Sequence, residues 1–175
     1  MINVISSKSK NLPLKDRKRL YQILITAYAE TEKEMWGENY VRISFEDYNK
    51  LIENDEILVA YSNGLVVGGI RHYVKASGIY GFGLLCADFG KTGMGIGRTL
   101  IGAVEKIALE RNMKAIKIEI LRPKDREVEF KTRISGWYQR MGYKYTYSQD
   151  FNEVEPTKAL DLVTTSCFDY YVKLL

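Results

Sequence analysis

The sequence is poor in the residues that tie a chain covalently or hold a metal: two cysteines and one histidine in 175 residues. Cys86 and Cys167 each sit in an apolar stretch with no partner at metal-ligand spacing, which argues against a disulfide framework and a zinc site. Both read as core residues, and no metal is expected. No uninterrupted apolar run is long enough to cross a bilayer, so no membrane partner is expected. The opening residues, Met1 to Lys8, lack the basic patch, apolar core and small-residue cleavage site of a secretory leader, which points to the cytoplasm. The net charge of +4 comes from scattered Lys and Arg without a dense basic stripe, so no nucleic-acid partner is expected either. Internal repeats, low-complexity tracts and linkers rich in Pro, Gly or Ser are also missing. Residues 1–175 therefore read as a single domain, and a chain of this length buries about 70% of the surface it would expose unfolded.

What is present is periodic. From Leu14 to Tyr28 the apolar Leu20, Ile23, Leu24, Ala27 and Tyr28 recur at helical spacing. An acidic and aromatic stretch follows as a loop, and Ser44 predicts the cap of a second helix running through Ile52. Glu56–Tyr61 and Leu65–Val74 read as strands around Asn63-Gly64, the strongest short-range hairpin signal, and Ile79–Ala87 extends them to a meander. The period then changes: Leu100, Ile101, Val104, Ile107 and Ala108 form one helical face, Lys114–Leu121 returns to strand, and Lys131–Met141 predicts a helix stopped by Gly142. Tyr143–Ser148 and Phe168–Leu174 close the sheet, and their edges suit pairing between two copies as a homodimer. The expected fold class is α/β of the α+β type, with one mixed, mostly antiparallel sheet carrying helices on both faces.

Between the meander and the next helix lies Asp88-Phe-Gly-Lys-Thr-Gly-Met-Gly-Ile-Gly-Arg98, with glycines at 90, 93, 95 and 97. Residues without Cβ let a backbone approach phosphate closely, while free N–H groups and the positive end of a helix dipole face the anion. Three phosphate-binding readings compete. A P-loop needs a glycine five residues before its Gly-Lys pair, where Leu85 stands. A dinucleotide fingerprint starting at Gly93 needs glycine at position 98, where Arg98 stands, and it normally follows the first strand of a parallel sheet; an NAD(P)-binding protein is the weaker alternative. The third reading is carried by Thr92-Gly93-Met94-Gly95-Ile96-Gly97, which resembles the cofactor motif of the GNAT superfamily of N-acetyltransferases except at Thr92, where a long polar residue is usual. Forty residues on, Gly136-Trp137-Tyr138-Gln139-Arg140-Met141-Gly142-Tyr143 resembles that family's aromatic signature, and the order of elements is also the family's.

The resemblance implies a function and a site. The cosubstrate would be acetyl-coenzyme A, with its pyrophosphate on the backbone from Thr92 to Arg98 and its carbonyl held by Leu85, Cys86 and Ala87 at the end of the fourth family strand. Tyr138 would donate a hydrogen bond to the departing sulfur; a tyrosine near pKa 10 facing a thiol near 8.5 makes complete proton transfer uphill by about 2 kcal/mol, so a strong hydrogen bond is the expected role. Lys131 stands where many members carry an asparagine that contacts the cofactor. An amine of lysine type is mostly protonated at neutral pH, a penalty of about 4.6 kcal/mol, and His72, Glu119 and Asp88 are the candidates that would ease it. The acidic region Glu30 to Glu38 lies where the family builds part of its acceptor site, and its carboxylates, Glu34 among them, would with Trp36 and Tyr40 attract a cationic amine, a small molecule or a peptide. A domain that binds acetyl-coenzyme A without turning it over is the non-enzymatic alternative.

Overall fold

The computed structural model describes residues 1–8, 11–91 and 93–175. Strands are β1 (Ile2–Ser6), β2 (Ile57–Ser62), β3 (Leu65–Ala76), β4 (Ile79–Ala87), β5 (Ala115–Pro123), β6 (Lys144–Asp150) and β7 (Ser166–Leu174). Helices are α1 (Leu14–Thr31), α2 (Lys33–Trp36), α3 (Phe45–Glu53), α4 (Ile96–Glu110), α5 (Glu129–Arg140), α6 (Phe151–Val154) and α7 (Pro156–Ala159). All seven strands form one open sheet in the order β1-β2-β3-β4-β5-β7-β6. Neighbours are antiparallel except β4 and β5, which are parallel and joined by α4.

Local chemistry accounts for these elements. Asn63 (φ 49°) and Gly64 (φ 76°) both take the left-handed conformation that a two-residue hairpin turn demands, and Ser62 pairs with Leu65 across it. The Ser44 hydroxyl accepts the Asp47 N–H and caps α3. Period two on the sheet sorts side chains between two layers. Ile57 and Val59 pack with Leu20, Ile23 and Leu24 of α1 and with Tyr48 and Ile52 of α3. Leu58 and Ala60 join Leu100, Ile101 and Val104 of α4 and Tyr138 of α5 on the opposite face.

The fold goes beyond the sequence reading at several points, the short helices α6 and α7 among them. Residues 2–6 form β1, antiparallel to β2 from Ile2↔Ser62 to Ser6↔Leu58. The acidic stretch contains the single turn α2, which buries Met35 and Trp36. The last strand does not end the sheet: β7 is inserted between β5 and β6, so β6 alone of the C-terminal pair presents an edge.

Candidate active site

The site begins with a fault in the sheet. Opposite β3, the pairing passes from Gly69↔Cys86 to Arg71↔Gly83, so β4 carries one residue more than its partner. Leu84 takes φ 48° at this bulge. For a residue with a Cβ that conformation costs about 1–2 kcal/mol, and Leu84 offsets it by packing against the α1–α3 cluster. On its other side β4 meets β5 only at Ile79↔Ala115 and Tyr80↔Ile116, after which the two strands diverge. The β5-facing edge of residues 81–87 is left without ladder partners among the described residues. A cavity of about 1220 Å³ opens in the splay.

The glycine turn forms one wall. Gly93 (φ 82°) and Gly95 (φ 75°) are left-handed, and a Cβ at either would meet nothing within 4 Å, so it is backbone conformation and open space, not crowding, that suits glycine there. Gly95 occupies the cap position of α4 without a side-chain hydrogen bond, and the first turn of that helix holds no acidic residue. The first turn of this 15-residue helix lines the cavity, and among the described residues no side chain caps its leading N–H groups. Lys91 and Arg98 beside the turn and Arg133 on α5 line the same space, are exposed, and make no ion pair among the described residues. Gly97 lets α4 approach α5: a Cβ there would stand 3.0 Å from the Trp137 ring.

Tyr138 projects from α5 into the cavity, held by ring contacts with Phe82, Trp137 and Tyr143. Its hydroxyl makes no hydrogen bond to the described residues, and burial pushes its pKa well above 10, so it keeps its proton at neutral pH. Leu85, Cys86 and Ala87 line the cavity from the bulged strand. Burial pushes the Cys86 thiol up to about 12. Lys131 also faces the cavity, but its ammonium is committed to Glu32 at 2.7 Å, with both side chains nearly buried. The other Glu32 oxygen accepts the Trp36 indole N–H at 3.1 Å. Glu119 lines the cavity from β5 and pairs with Lys75 at 2.5 Å.

Other sequence-predicted residues stand apart. Thr92 lies outside the described residues, and the Met94 side chain is exposed and does not line the cavity. Glu34 points outward to Arg126. Trp36 is buried, stacked on Tyr40 and set edge-on to Phe151. His72 is buried on the α4 face, with Nδ1 2.7 Å from the Tyr80 hydroxyl, because alternation along β3 turns it away from the splay. None of Glu34, Trp36 and His72 lines the cavity. From the acidic and aromatic stretch Glu32 and Tyr40 do line the cavity, on the wall nearest the end of α1, together with Tyr28 and Arg42. Tyr28 reads as one more apolar position of α1 in the sequence. Arg42 has a visible signal, being the one Lys or Arg between Lys33 and Lys50 in an otherwise acidic and aromatic stretch.

The Acetyltransferase (GNAT) family model matches residues 17–143, the span that holds the bulge, the glycine turn and Tyr138. The chain belongs to the GNAT family of acetyltransferases. As a GNAT protein it is an acyltransferase whose donor is acetyl-coenzyme A. Solved GNAT structures share the fold at low identity. A ribosomal-protein-alanine N-acetyltransferase from Brucella melitensis is 16% identical, with TM-score 0.67 over 100% of this chain and 99% of that one. Ard1 from Thermoplasma volcanium is 18% identical, with TM-score 0.66 over 100% and 97%. A Bacillus anthracis str. Ames protein in complex with acetyl coenzyme A is 17% identical, with TM-score 0.58 over 78% and 70%. No curated protein sequence matches the chain significantly. No described helix is long and apolar enough to cross a membrane, and no described cluster of His, Cys, Asp and Glu could hold a metal ion.

Proposed function

We propose that residues 1–175 act as one N-acetyltransferase domain that passes the acetyl group of acetyl-coenzyme A directly to a primary amine, both held together in the splay between β4 and β5. The observation that carries this reading is the junction itself. An uncapped helix N-terminus, an unpaired strand edge and the Tyr138 hydroxyl line one cavity that is also bordered by the α1–α3 side. Diphosphate fits the donor set, since the N–H groups from Ile96 onward need an acceptor and Lys91, Arg98 and Arg133 supply uncompensated positive charge around them. The dinucleotide reading gives way, because the strand entering the turn belongs to the antiparallel β2–β3–β4 meander.

When bound, acetyl-coenzyme A supplies an activated thioester. The protein's own groups do the rest. The main-chain N–H groups on the β5-facing edge of residues 85–87, beside the bulge, are available to negative charge on an acyl oxygen, where preorganised donors act without reorganising. Tyr138 donates a hydrogen bond to sulfur while keeping its proton, because burial has raised its pKa further above that of a thiol. Cys86 faces the same space but is protonated at neutral pH, which supports direct transfer over a covalent acyl-cysteine. Glu119, held by Lys75, is the carboxylate on the β5 wall that can orient an amine or its water.

Calorimetry with coenzyme A and with NAD, followed by thiol release from acetyl-coenzyme A with a panel of amines, tests the reading. Coenzyme A is expected to bind and NAD is not. Protein that ignores coenzyme A at millimolar concentration overturns the proposal, and binding without thiol release from any amine would leave a sensor in place of an enzyme.

A further inference from the structure

The wall facing the glycine turn carries a charge that the protein does not neutralise. Arg42 stands in the loop between α2 and α3, lines the cavity, and is half-buried. Its guanidinium lies 5.7 Å from the centre of the Tyr28 ring and makes no ion pair or hydrogen bond among the described residues. Carboxylates on the same cavity are engaged elsewhere: Glu32 with Lys131, Glu119 with Lys75, Asp47 with Lys50, Asp88 with Arg19 and Glu155 with Lys158. Of the other cations on the cavity, Lys131, Arg71 and Lys158 have carboxylate partners. Lys91, Arg98 and Arg133 are exposed and surround the phosphate-binding end. Among the described residues, Arg42 is thus the unpaired cation withdrawn from solvent on the opposite wall.

Burial without a partner is unfavourable for a guanidinium, whose planar fork of donors matches two oxygens of a carboxylate or phosphate. Tyr28 connects this charge to the reaction centre. It borders the cavity beside Arg42, and Cys86 and Tyr138 line that same cavity. An acceptor that spans the cavity with its amine at the Tyr138 end would therefore place its other end against Arg42.

Resting on the acetyl-transfer reading, we propose that the acceptor is an amine that also carries an anionic group, and that Arg42 selects it by binding that group. The acceptor class narrows from amines at large to amino acids, acidic peptides or phosphorylated amines. The amine end supplies the nucleophile, and the anionic end fixes the distance and angle at which it is presented.

The test uses matched amines: amino acids as free acids and as carboxamides, and phosphoethanolamine beside ethanolamine. For the wild-type protein, the anionic member of at least one pair is expected to show a KM about ten- to a hundredfold below its neutral partner, the range that one charge-assisted hydrogen bond commands. Whether the acid or the phosphate pair shows the larger ratio identifies the anion. Arg42→Gln should collapse the ratio towards one, and Arg42→Lys, which keeps charge without the fork, should retain part of it. Neutral members that serve as well as anionic ones, or a KM rise in Arg42→Gln that is equal for both, would overturn the proposal. The same pairs titrated calorimetrically into coenzyme-A-loaded protein read the preference without turnover. Failure of thiol release then counts against acetyl transfer, while equal binding of acid and amide counts against Arg42.

Discussion

Tyr138 shows what one side chain can be asked to do. Its ring is fixed by three aromatic neighbours and its hydroxyl has no hydrogen-bond partner among the described residues, so Tyr138→Phe removes one O–H and little else. A group that assists departure of sulfur contributes typically 10²–10⁴-fold, so kcat should fall by about a hundredfold or more while KM for acetyl-coenzyme A stays within about twofold. An unchanged kcat in steady-state assays would remove Tyr138 from the chemistry. His72 makes a prediction of a different kind. Burial lowers its pKa below the ordinary 6.5, so as pH falls below about 6.5 the unfolded chain takes up a proton before the folded one does. With more protons bound in the unfolded state, stability rises with pH, and it is lost on the acid side of that window. Urea midpoints measured between pH 7.5 and 5 should fall, and His72→Gln should flatten that part of the dependence. An identical slope in the variant would place the titration elsewhere.

At the scale of elements, glycines in and around the turn divide into two kinds that one experiment separates. At Gly95 a Cβ meets nothing, and the constraint is φ 75° at the cap of α4. Gly95→Ala should therefore cost about 1–2 kcal/mol through backbone strain and weaken coenzyme A binding by disturbing the first N–H groups. At Gly68 in β3 a Cβ would lie 2.5 Å from the Cys86 carbonyl oxygen and 2.9 Å from Ile96. Gly68→Ala should destabilise by about 1–3 kcal/mol or more, by forcing β4 and α4 off the strand beneath them. Thermal unfolding with and without coenzyme A distinguishes the two, because the gain in Tm on adding ligand should shrink more for Gly95→Ala than its loss of stability alone requires. The same contrast explains what is legible in the sequence. The turn and the α5 signature are local strings, and the helix faces and the Asn63-Gly64 hairpin are periodic or dipeptide signals, so all of these can be read without coordinates. The order β5-β7-β6 and the bulge at Leu84 cannot, since both are set by pairing between distant segments and Leu84 is an ordinary strand residue by type. Glu34, Trp36 and His72 stand out by their chemistry, yet what decides access to the splay is which face of a strand or helix they occupy. Arg42 and Tyr28 occupy the right face with less conspicuous chemistry.

The whole molecule carries a mechanical consequence of the splay. The halves of the sheet on either side of it share two residue pairs between β4 and β5, so the walls above those pairs need another tie. Lys131 of α5 and Glu32 at the end of α1 supply one across the cavity, and the Trp36 indole supplies the carboxylate's second donor. Taking both charges out of water is costly, and the pair stabilises the protein only while it is complete. Lys131→Met leaves the Glu32 charge nearly buried with one neutral donor, and should cost about 3–5 kcal/mol in urea unfolding. Adding Glu32→Gln to that variant removes the uncompensated charge while keeping a group that can accept from Trp36, and should restore a large part of the loss. The double variant is therefore expected to be more stable than the Lys131→Met protein. If the second substitution instead adds its own loss to the first, the two charges act independently and do not tie one wall to the other.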